Sequence, residues 1–364
     1  MMRRFGQQVV LALLAGVTGC APTGQAPAGG APAPAAARTL DLYFVDVEGG
    51  QATLVVTPSG ESLLIDAGFP GDGTFNSTPG DPKAARDAQR VLAAARAAGL
   101  KQIDHLMLTH YHADHAGGVM ELAQLIPIKQ FIDHAAPSEA AEKVVPGTRA
   151  LYDAYVALRR SGTHLQPKPG DRLPLSGVEV TVVSSGGAVL TSPLPGAGQP
   201  NAACRGTGAP AQETTENPLS TGIRLQYGAF RFLDVGDLSG PPLFALSCPV
   251  DLLGPADVYL IAHHGGADGA DPALYAAVAP RVAVFNNGPR KGAQAATLKT
   301  LQQFPAIDGW QLHRTTYPNA VNVADERIAN LDESTSHWIK IAAEASGAFT
   351  VTNGRTGATK RYAR

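Results

Sequence analysis

The sequence predicts an α/β fold in which two sheets pack face to face and helices cover their outer surfaces, a four-layer αββα sandwich. Strand-like segments followed by helix-like segments recur in both halves of the chain, which is the pattern expected of two such sheet-and-helix layers. No change of composition divides the chain after residue 40. We therefore assign residues 39–364 to one domain.

The first half begins with three segments typical of strands, DLYFVDV, ATLVVT and SLLIDAG, separated by turns that contain glycine. The segment from Asp81 to Gly99 predicts a helix, with Asp81 as its N-cap and Gly99 as its stop signal. The apolar strand HLMLT follows. A helical pattern, the strand IKQFID, a mostly helical stretch and the strand GVEVTVVSS complete this half.

Residues 186–218 interrupt the pattern with a run rich in Gly, Pro, Ala and Thr. Loops of this length are usually functional or disordered. Strands then resume with the hairpin TGIRLQYGAFRFLDVGD, the apolar strand of ADVYLIAHHGG and the strand RVAVFNNG. The chain closes with the hairpin HWIKIAAEASGAFTVTNG, so the second half repeats the order of the first.

The N-terminus has the features of an export signal. Arg3 and Arg4 precede a short apolar run, which VTGC closes at Cys20. This arrangement resembles the bacterial lipoprotein signal, and the resemblance implies a signal peptide over residues 1–19 and lipid attachment to Cys20. An ordinary signal peptide with a chance cysteine is the alternative. Residues 20–38 predict an Ala/Pro/Gly-rich tether, so we expect an exported, membrane-anchored protein facing the periplasm or the cell surface.

The net charge and the cysteine content limit which binding partners and which cysteine chemistry the sequence predicts. The formal net charge of −2 gives no bulk attraction to nucleic acid or anionic lipid. The lipid anchor is therefore the only membrane contact we expect, and nucleic acid is not favoured. Besides Cys20 the chain holds Cys204 and Cys248, which predict one disulfide in an exported protein. A redox or metal role is the alternative, but neither has a second Cys or a His at ligand spacing.

The stretch LTHYHADHAGG, residues 108–118, holds a dense group of potential metal ligands. His110, His112, Asp114 and His115 fall just beyond the carboxyl end of a buried strand, where α/β folds usually place their sites. His110 and His112 can converge on one ion, and Asp114 and His115 can serve a second position. Imidazole and carboxylate suit zinc, with manganese and iron as alternatives. A metal-storage or metal-sensing cluster is the rival interpretation.

Two later segments place further ligand-type groups after apolar strands. FLDVGD ends at Asp237, and YLIAHHGG contains His263 and His264. A lone Asp in this position is more often a cap, but together with the first group these residues indicate a shared site. NNGPRKG offers Arg290 and Lys291 as groups that could bind a substrate phosphate or carboxylate, with a solvated basic turn as the alternative.

These motifs resemble the metallo-β-lactamase fold superfamily. HYHADH matches its signature, and LLIDAG ending near Asp66, the GD at Asp237 and the HHG from His263 follow in its usual order. The similarity covers roughly residues 40–290. It looks closest to the branch that contains the hydrolase domain of DNA-uptake competence proteins and the phosphorylcholine esterases of bacterial surfaces.

The resemblance implies a site for two divalent ions, with zinc expected and manganese or iron possible. The ligands it implies belong to two positions joined by a bridge: His110 and His112 for one ion, Asp114, His115 and His264 for the other, and Asp237 between them. The residues it assigns to catalysis are Asp114, His263 as proton donor to the leaving group, and Asp66, which would orient the site. Which histidine of the 263–264 pair binds metal stays open.

Two departures from the resemblance affect the site and the substrate. Many members supply a further histidine before the bridging Asp, and the candidates here are His134 and His164. His134 has the better position because it follows the next strand, although a helix cap or a surface loop would also explain it. The competence branch often has Asp where this chain has His112, and has GQGD where this chain has EGGQ, which weakens a DNA-cleavage assignment.

The function expected from these features is that of an exported, lipid-anchored, metal-dependent hydrolase. The substrate would be a small molecule or an envelope component with a phosphodiester or other ester bond. A lactonase or β-lactamase-type hydrolase on the same site is the first alternative. A non-catalytic metal-binding envelope lipoprotein is the second.

Overall fold

The computed structural model describes residues 38–205 and 208–364, together with the single positions 2, 11 and 12. The fold lies in the unit Ala37–Arg364, and the other unit is Met1–Ala36. The predicted signal peptide, Cys20 and all of the predicted tether except Arg38 lie outside the described residues, apart from those single positions. No helix among the described residues has the length and apolar character needed to cross a membrane.

The first sheet contains nine of the described strands in the order β18-β17-β16-β1-β2-β3-β4-β5-β6. Strands β3 to β6 are parallel, and the remaining neighbours are antiparallel. The strands are numbered in chain order and are Leu40–Phe44 (β1), Thr53–Val56 (β2), Ser62–Ile65 (β3), Ile103–Met107 (β4), Ile128–Ile132 (β5), Thr163–Leu165 (β6), Ile339–Ala343 (β16), Phe349–Asn353 (β17) and Thr359–Tyr362 (β18).

The second sheet holds the other strands of the described region in the order β15-β14-β13-β12-β11-β10-β8-β7, with β9 paired to β8. Its strands from β11 to β15 are parallel, so their carboxyl ends share one edge. The strands are Arg172–Leu173 (β7), Glu179–Ser185 (β8), Ala188–Val189 (β9), Gly222–Tyr227 (β10), Phe230–Asp234 (β11), Val258–Leu260 (β12), Val282–Phe285 (β13), Asp308–His313 (β14) and Ile328–Asn330 (β15).

The two sheets pack through alternate side chains of their strands. On β1, Leu42 and Phe44 belong to the core between the sheets, and Phe44 meets the Phe232 ring of β11 edge-on at 5.9 Å. Tyr43 points to the opposite face and joins a second core with Val91 of the first helix. Because successive side chains of a strand point to opposite faces, each sheet buries one face against the other sheet and one against helices. The predicted αββα sandwich is confirmed.

The helices lie outside the sheets. The described α-helices are Arg86–Ala97 (α1), Ala113–Ala116 (α2), Val119–Leu125 (α3), Glu139–Val144 (α4), Thr148–Leu158 (α5), Gly240–Ser247 (α6), Pro272–Val278 (α7) and Ala295–Leu301 (α8). Short 3₁₀ turns occur at Arg159–Ser161, Ala202–Cys204, Asn217–Leu219, Ala262–Gly265, Ala267–Ala270 and Asp325–Arg327.

The predicted start of α1 at Asp81 is wrong, whereas its predicted stop is confirmed. The Asp81 carboxylate accepts the Lys83 N–H within a short turn, and Ala85 is extended at ψ 111°, so the helix begins only after it. Gly99 adopts φ +76° and donates its N–H to the Arg96 carbonyl, as expected of a glycine that ends a helix.

The long loop of residues 186–218 is attached to the body of the domain. Cys204 and Cys248 form the predicted disulfide, with Cα atoms 5.8 Å apart. The Leu194 N–H donates to the Leu252 carbonyl at 2.9 Å, and Pro200 forms an isolated β-bridge with Val250. Residues 194–204 of this loop are therefore bound to the chain that follows α6.

Candidate metal centre

The segment carrying the first group of ligands is held by close packing after β4. Gly117 has helical angles, φ −62° and ψ −42°, rather than those of a tight turn. A Cβ atom at Gly117 would collide with the Ala113 carbonyl and with Pro70, and one at Gly118 would collide with the Ala67 carbonyl. The glycines therefore let α2 lie directly against the chain that follows β3.

Four buried side chains from three segments meet at this edge of the sheets. Asp114, His115, Asp237 and His264 each offer a ligand atom within 4.8 Å of the others. His115 Nε2 lies 3.2 Å from Asp237 Oδ2, and His264 Nε2 lies 3.1 Å from the same oxygen. Ligand bonds of about 2.0–2.2 Å around a tetrahedral ion would separate ligand atoms by about 3.4 Å. The group matches that spacing.

The electrostatics of this group also favour a cation. Burial opposes a charged His115, but the carboxylates of Asp237, Asp114 and Asp66 outweigh it and hold the pKa of His115 well above its usual range. The pKa of Asp237 lies well below its usual range, because the neighbouring imidazoles of His115 and His264 outweigh the burial that would raise it. Asp237 Oδ1 and His264 Nδ1 are buried without a hydrogen-bond partner. A bound divalent ion would satisfy this charge balance.

His110 and His112 converge on a neighbouring position. His110 Nε2 lies 3.0 Å from His112 Nδ1, and the pKa of His110 lies well below its usual range, chiefly through burial. A neutral imidazole is the form that binds metal. In residues 38–205 and 208–364, the groups of three or more ligand atoms within 4.8 Å of one another do not include this pair.

The Asp66 carboxylate orients the His115 ring through its Nδ1 atom. Its carboxylate accepts the Thr109 N–H at 2.8 Å, the Thr109 hydroxyl at 2.7 Å and His115 Nδ1–H at 2.7 Å. Because a histidine whose Nδ1 donates leaves its Nε2 lone pair free for a metal, Asp66 selects the tautomer that the site needs. Asp66 therefore lies on the Nδ1 side of the His115 ring, and Asp237 lies on its Nε2 side.

Asp237 lies in a turn after β11 that hydrogen bonds to Asp234 hold in place. The Asp234 carboxylate accepts the Gly236 N–H and the Gln51 side-chain N–H, each at 2.9 Å. Burial raises the pKa of Asp234 to about 7. Gly236 has φ +56°, and a Cβ atom there would collide with Thr109. This turn therefore needs glycine both for its backbone angle and for its contact with the chain after β4.

The structure separates the two histidines of the HHG motif. His264 points into the metal centre, whereas His263 faces the adjoining cavity, with its Nδ1 2.6 Å from Asp268 and its Nε2 3.6 Å from Asp237. Burial opposes its protonation, but the carboxylates of Asp237 and Asp268 raise the pKa of His263 to about 9. His263 therefore carries a proton beside the centre at neutral pH.

His134 lies in a buried polar pair that includes a residue missed by the sequence analysis. Its Nε2 is 3.3 Å from Glu216 Oε2, and its ring lies 4.6 Å from that of Tyr111. Glu216 is fully buried, and neither carboxylate oxygen has a hydrogen-bond partner. The negative charge of Glu216 also raises the pKa of His112, within an overall lowering caused by burial. His164 binds Asp133 at 2.9 Å instead.

The two basic residues of NNGPRKG have different surroundings. The Lys291 ammonium contacts the Asp114 carboxylate and lies 5.4 Å from the centre of the Phe75 ring. Arg290 instead pairs with Glu333 at the surface. Of the two proposed substrate-binding residues, Lys291 therefore lies at the metal centre.

A second group of ligand-type side chains has a different character. Asp46, Glu48 and His313 also lie within 4.8 Å of one another. Arg90 contacts both carboxylates, at 3.3 Å from Asp46 and 2.9 Å from Glu48, and Arg86 contacts Glu48 at 2.9 Å. Two guanidinium groups already balance these charges, so the group is better described as an ion-pair network.

A cavity of about 700 Å³ opens onto the first centre. His112, Asp114, Asp237, His263 and Lys291 line one side of it. Apolar atoms form most of the remaining surface. The proposed ligands are thus accessible to a molecule of substantial size.

Comparisons with known proteins relate the chain to one superfamily. The family model of the Metallo-beta-lactamase superfamily matches residues 45–199. No match to a curated protein was found.

Several solved structures are similar to the chain. A HARLDQ-motif mutant of a metallo-beta-lactamase from Cronobacter sakazakii is 18% identical, with a TM-score of 0.31 over 54% of this chain and 60% of that one. The metallo-beta-lactamase fold protein YhfI from Bacillus subtilis is 13% identical, with a TM-score of 0.43 over 74% and 95%. CmlA, a diiron beta-hydroxylase from Streptomyces venezuelae, is 16% identical, with a TM-score of 0.39 over 74% and 48%. The chain spans 60% and 61% of the length of the first two Cronobacter structures.

Proposed function

We propose that the chain belongs to the metallo-beta-lactamase superfamily, whose family model matches residues 45–199, and that it is a metal-dependent hydrolase acting on an ester or phosphodiester bond. The observation that carries this proposal is the convergence of Asp114, His115, Asp237 and His264 beside an open cavity, which Asp114 and Asp237 line. Buried carboxylates and imidazoles with unpartnered atoms suit a bound cation, and the cavity gives that cation access to a substrate.

The residues that would hold the ions follow from the contacts. Asp114, His115, Asp237 and His264 would hold one ion, and His110 with His112 would provide the start of a second position. Glu216 and His134 are further ligand-type groups near His112. Zinc is the ion we propose first, with manganese or iron as alternatives. When bound, such ions would lower the pKa of water toward neutrality and polarise a substrate oxygen.

The other residues of the site would position the substrate and move its proton. His263 lines the cavity, and its Nε2 lies 3.6 Å from Asp237, so it is the group we propose to protonate the oxygen that leaves. Asp268 keeps that ring oriented through Nδ1, 2.6 Å away. The Lys291 ammonium lies where it can bind an anionic group of the substrate once the Asp114 carboxylate is engaged by metal.

We also propose that the protein is exported and lipid-anchored through Cys20. The disulfide between Cys204 and Cys248 supports export, because disulfides persist in oxidising compartments and are rare in the cytosol. Labelling cells with a radioactive fatty acid would test the anchor. Incorporation that disappears in Cys20→Ser would support it, and unchanged incorporation would contradict it.

The hydrolase proposal is tested with the full-length protein in detergent, loaded with zinc or manganese. The substrates are bis(p-nitrophenyl) phosphate, p-nitrophenyl acetate, a simple lactone and a β-lactam. We expect metal-dependent turnover of at least one of them, reduced about a hundredfold or more in His112→Ala. His337→Ala is the control, because the side chain of His337 lies outside the cavity lining.

The pattern of turnover also separates the alternatives. Turnover of the lactone or lactam alone would move the assignment to that class of bond. Metal binding without turnover of any substrate would contradict the hydrolase proposal and favour a metal-binding lipoprotein.

A further inference from the structure

The cavity beside the metal centre has an apolar wall that the chemistry of hydrolysis does not require. Met120 of α3, Val145 between α4 and α5, and Leu151 of α5 line it. Phe75 stands at the same cavity with 63% of its side chain exposed. Large apolar side chains that remain exposed around a concave surface are a common mark of a ligand site.

Besides α3, the wall is built by two segments that supply no metal ligand. One is the loop after β3 that carries Phe75, whose ring packs edge-on against Phe69 with centroids 4.8 Å apart. The other is the helical region of α4 and α5, where Tyr155 is fully buried beneath the cavity side and anchors α5 to the first sheet. Both parts of the wall are therefore held by buried aromatic contacts on the body of the domain.

The charged and apolar parts of the cavity meet at Lys291. Its ammonium lies against Asp114 on one side and over the Phe75 ring on the other. A ligand that fits this junction has an anionic group next to an apolar group. Bulk charge does not supply such selectivity, because the net charge of the chain is only −2.

We propose that the substrates are anionic amphiphiles, phosphodiesters whose alkyl or acyl chain lies along the wall formed by Phe75, Met120, Val145 and Leu151. This inference rests on the proposed hydrolase function and names its substrate class. The phosphate lies at Lys291 and the metal ligands, His263 faces the leaving oxygen, and the chain extends between α5 and the loop that carries Phe75. Hydrolysis adds water across the P–O bond, giving an alkyl phosphate and the alcohol that takes the proton.

The first test measures kcat/KM for p-nitrophenyl alkyl phosphodiesters with methyl, butyl and octyl chains, below their micelle-forming concentrations. The full-length, zinc-loaded protein is used. We expect kcat/KM to rise with chain length by up to about fourfold for each buried methylene, and by about a hundredfold or more from methyl to octyl. A flat series, or a preference for methyl, would overturn the proposal.

Variants of the wall locate the effect. Leu151→Gln and Val145→Gln are expected to lower kcat/KM for the octyl substrate about tenfold and to leave the methyl substrate within about twofold. Val321→Gln is the matched control, because Val321 is 62% exposed and lies outside the cavity lining. Equal losses for both chain lengths, or an effect of the control as large as that of Leu151→Gln, would contradict the assignment of the wall.

A binding measurement separates this proposal from the hydrolase function. Octylphosphonate and methylphosphonate are inert, and their affinities for the zinc-loaded protein can be compared by calorimetry. Tighter binding of octylphosphonate that is lost in Leu151→Gln supports the cavity assignment even if no diester is hydrolysed. Equal affinities would overturn it even if turnover is observed. A parallel series of p-nitrophenyl carboxylic esters tests the anionic group, since a chain-length effect confined to those neutral esters would contradict the phosphodiester class.

Discussion

Asp66 offers a direct test of how the protein prepares its metal ligands. We predict that Asp66→Asn weakens metal binding without unfolding the domain. Asp66 has φ +60°, a left-handed conformation that Asn also tolerates, so the substitution adds little backbone strain. The amide oxygen can still accept the Thr109 N–H, which lies 2.8 Å from Asp66 Oδ1.

The hydrogen bonds that the substitution removes are those made by the second carboxylate oxygen. Asp66 Oδ2 accepts the Thr109 hydroxyl and His115 Nδ1–H, each at 2.7 Å. An amide NH₂ in that position cannot accept from His115. The imidazole then favours the tautomer with its proton on Nε2, the atom that lies 3.2 Å from Asp237 Oδ2. A protonated Nε2 has no lone pair for a metal.

The size of the expected loss in zinc affinity follows from what carboxylates that support a ligating histidine contribute in general. Removing one typically lowers metal affinity 10–100-fold, which corresponds to about 1.4–2.7 kcal/mol. We therefore expect the zinc dissociation constant to rise by that factor in a competition titration with a coloured chelator. The urea midpoint of the metal-free protein, measured in parallel, reports whether the fold is intact.

The control is a carboxylate with similar partners away from the centre. Asp104 Oδ2 accepts the Ser62 N–H and the Ser62 hydroxyl, each at 2.9 Å, at the opposite end of the same pair of strands. Asp104→Asn should leave zinc affinity within about twofold of the parent. If Asp66→Asn also binds zinc with unchanged affinity, the orienting role of Asp66 is wrong.

Other predictions concern stability, pH and metal content. Replacing Cys204 and Cys248, 44 positions apart, with Ser should lower the free energy of unfolding by about 4 kcal/mol in urea titrations, and no loss would contradict the loop-entropy reasoning. Gly117→Ala should lower stability by about 1–3 kcal/mol because its Cβ meets backbone atoms, which thermal unfolding would measure. Burial raises the pKa of Asp87 to about 6, so the native state keeps a proton that the unfolded chain has released. Stability should therefore fall by about 3 kcal/mol as pH rises from about 4 to 6, and Asp87→Asn should flatten that slope in urea titrations. Glu216→Gln should lower bound zinc by about one ion per chain in elemental analysis, and full occupancy would exclude Glu216 as a ligand.

The parts of the site that could be predicted from sequence are those in which local pattern and chemistry coincide. Between His110 and His115, ligand-type residues directly follow an apolar strand, and the structure gathers them at that strand's carboxyl end. Asp237 and the 263–264 pair follow buried strands in the same way. β11 and β12 are parallel neighbours, so their carboxyl ends share one edge of the second sheet. The packing of the two sheets places the end of β4 beside that edge, where His115 lies 3.2 Å from Asp237, and three separate sequence signals form one centre.

Other features depend on contacts that no local pattern encodes. His263 and His264 both have left-handed backbone angles, φ 52° and 55°, and these angles direct the His264 ring toward Asp114 and Asp237 and the His263 ring toward the cavity. Gly292 permits this because a side chain there would collide with His264. Sequence alone therefore leaves the choice between the two histidines open. Glu216 gives no signal, since a single Glu in a loop rich in Thr and Pro resembles any solvated residue until its burial is seen.

The origin of the cavity explains why the reaction class, hydrolysis, is easier to predict than the bond or the substrate. The metal centre needs imidazole and carboxylate groups at fixed positions, so its residues form a recognisable pattern at the strand ends. The wall needs only apolar volume, which Phe75, Met120 and Leu151 supply from a loop and two helices with no defining order of residues. Changes in that wall can alter the preferred substrate while leaving every proposed ligand in place. Substitutions at the wall should therefore redistribute kcat/KM among substrates, whereas substitutions among the ligands should lower it for all of them.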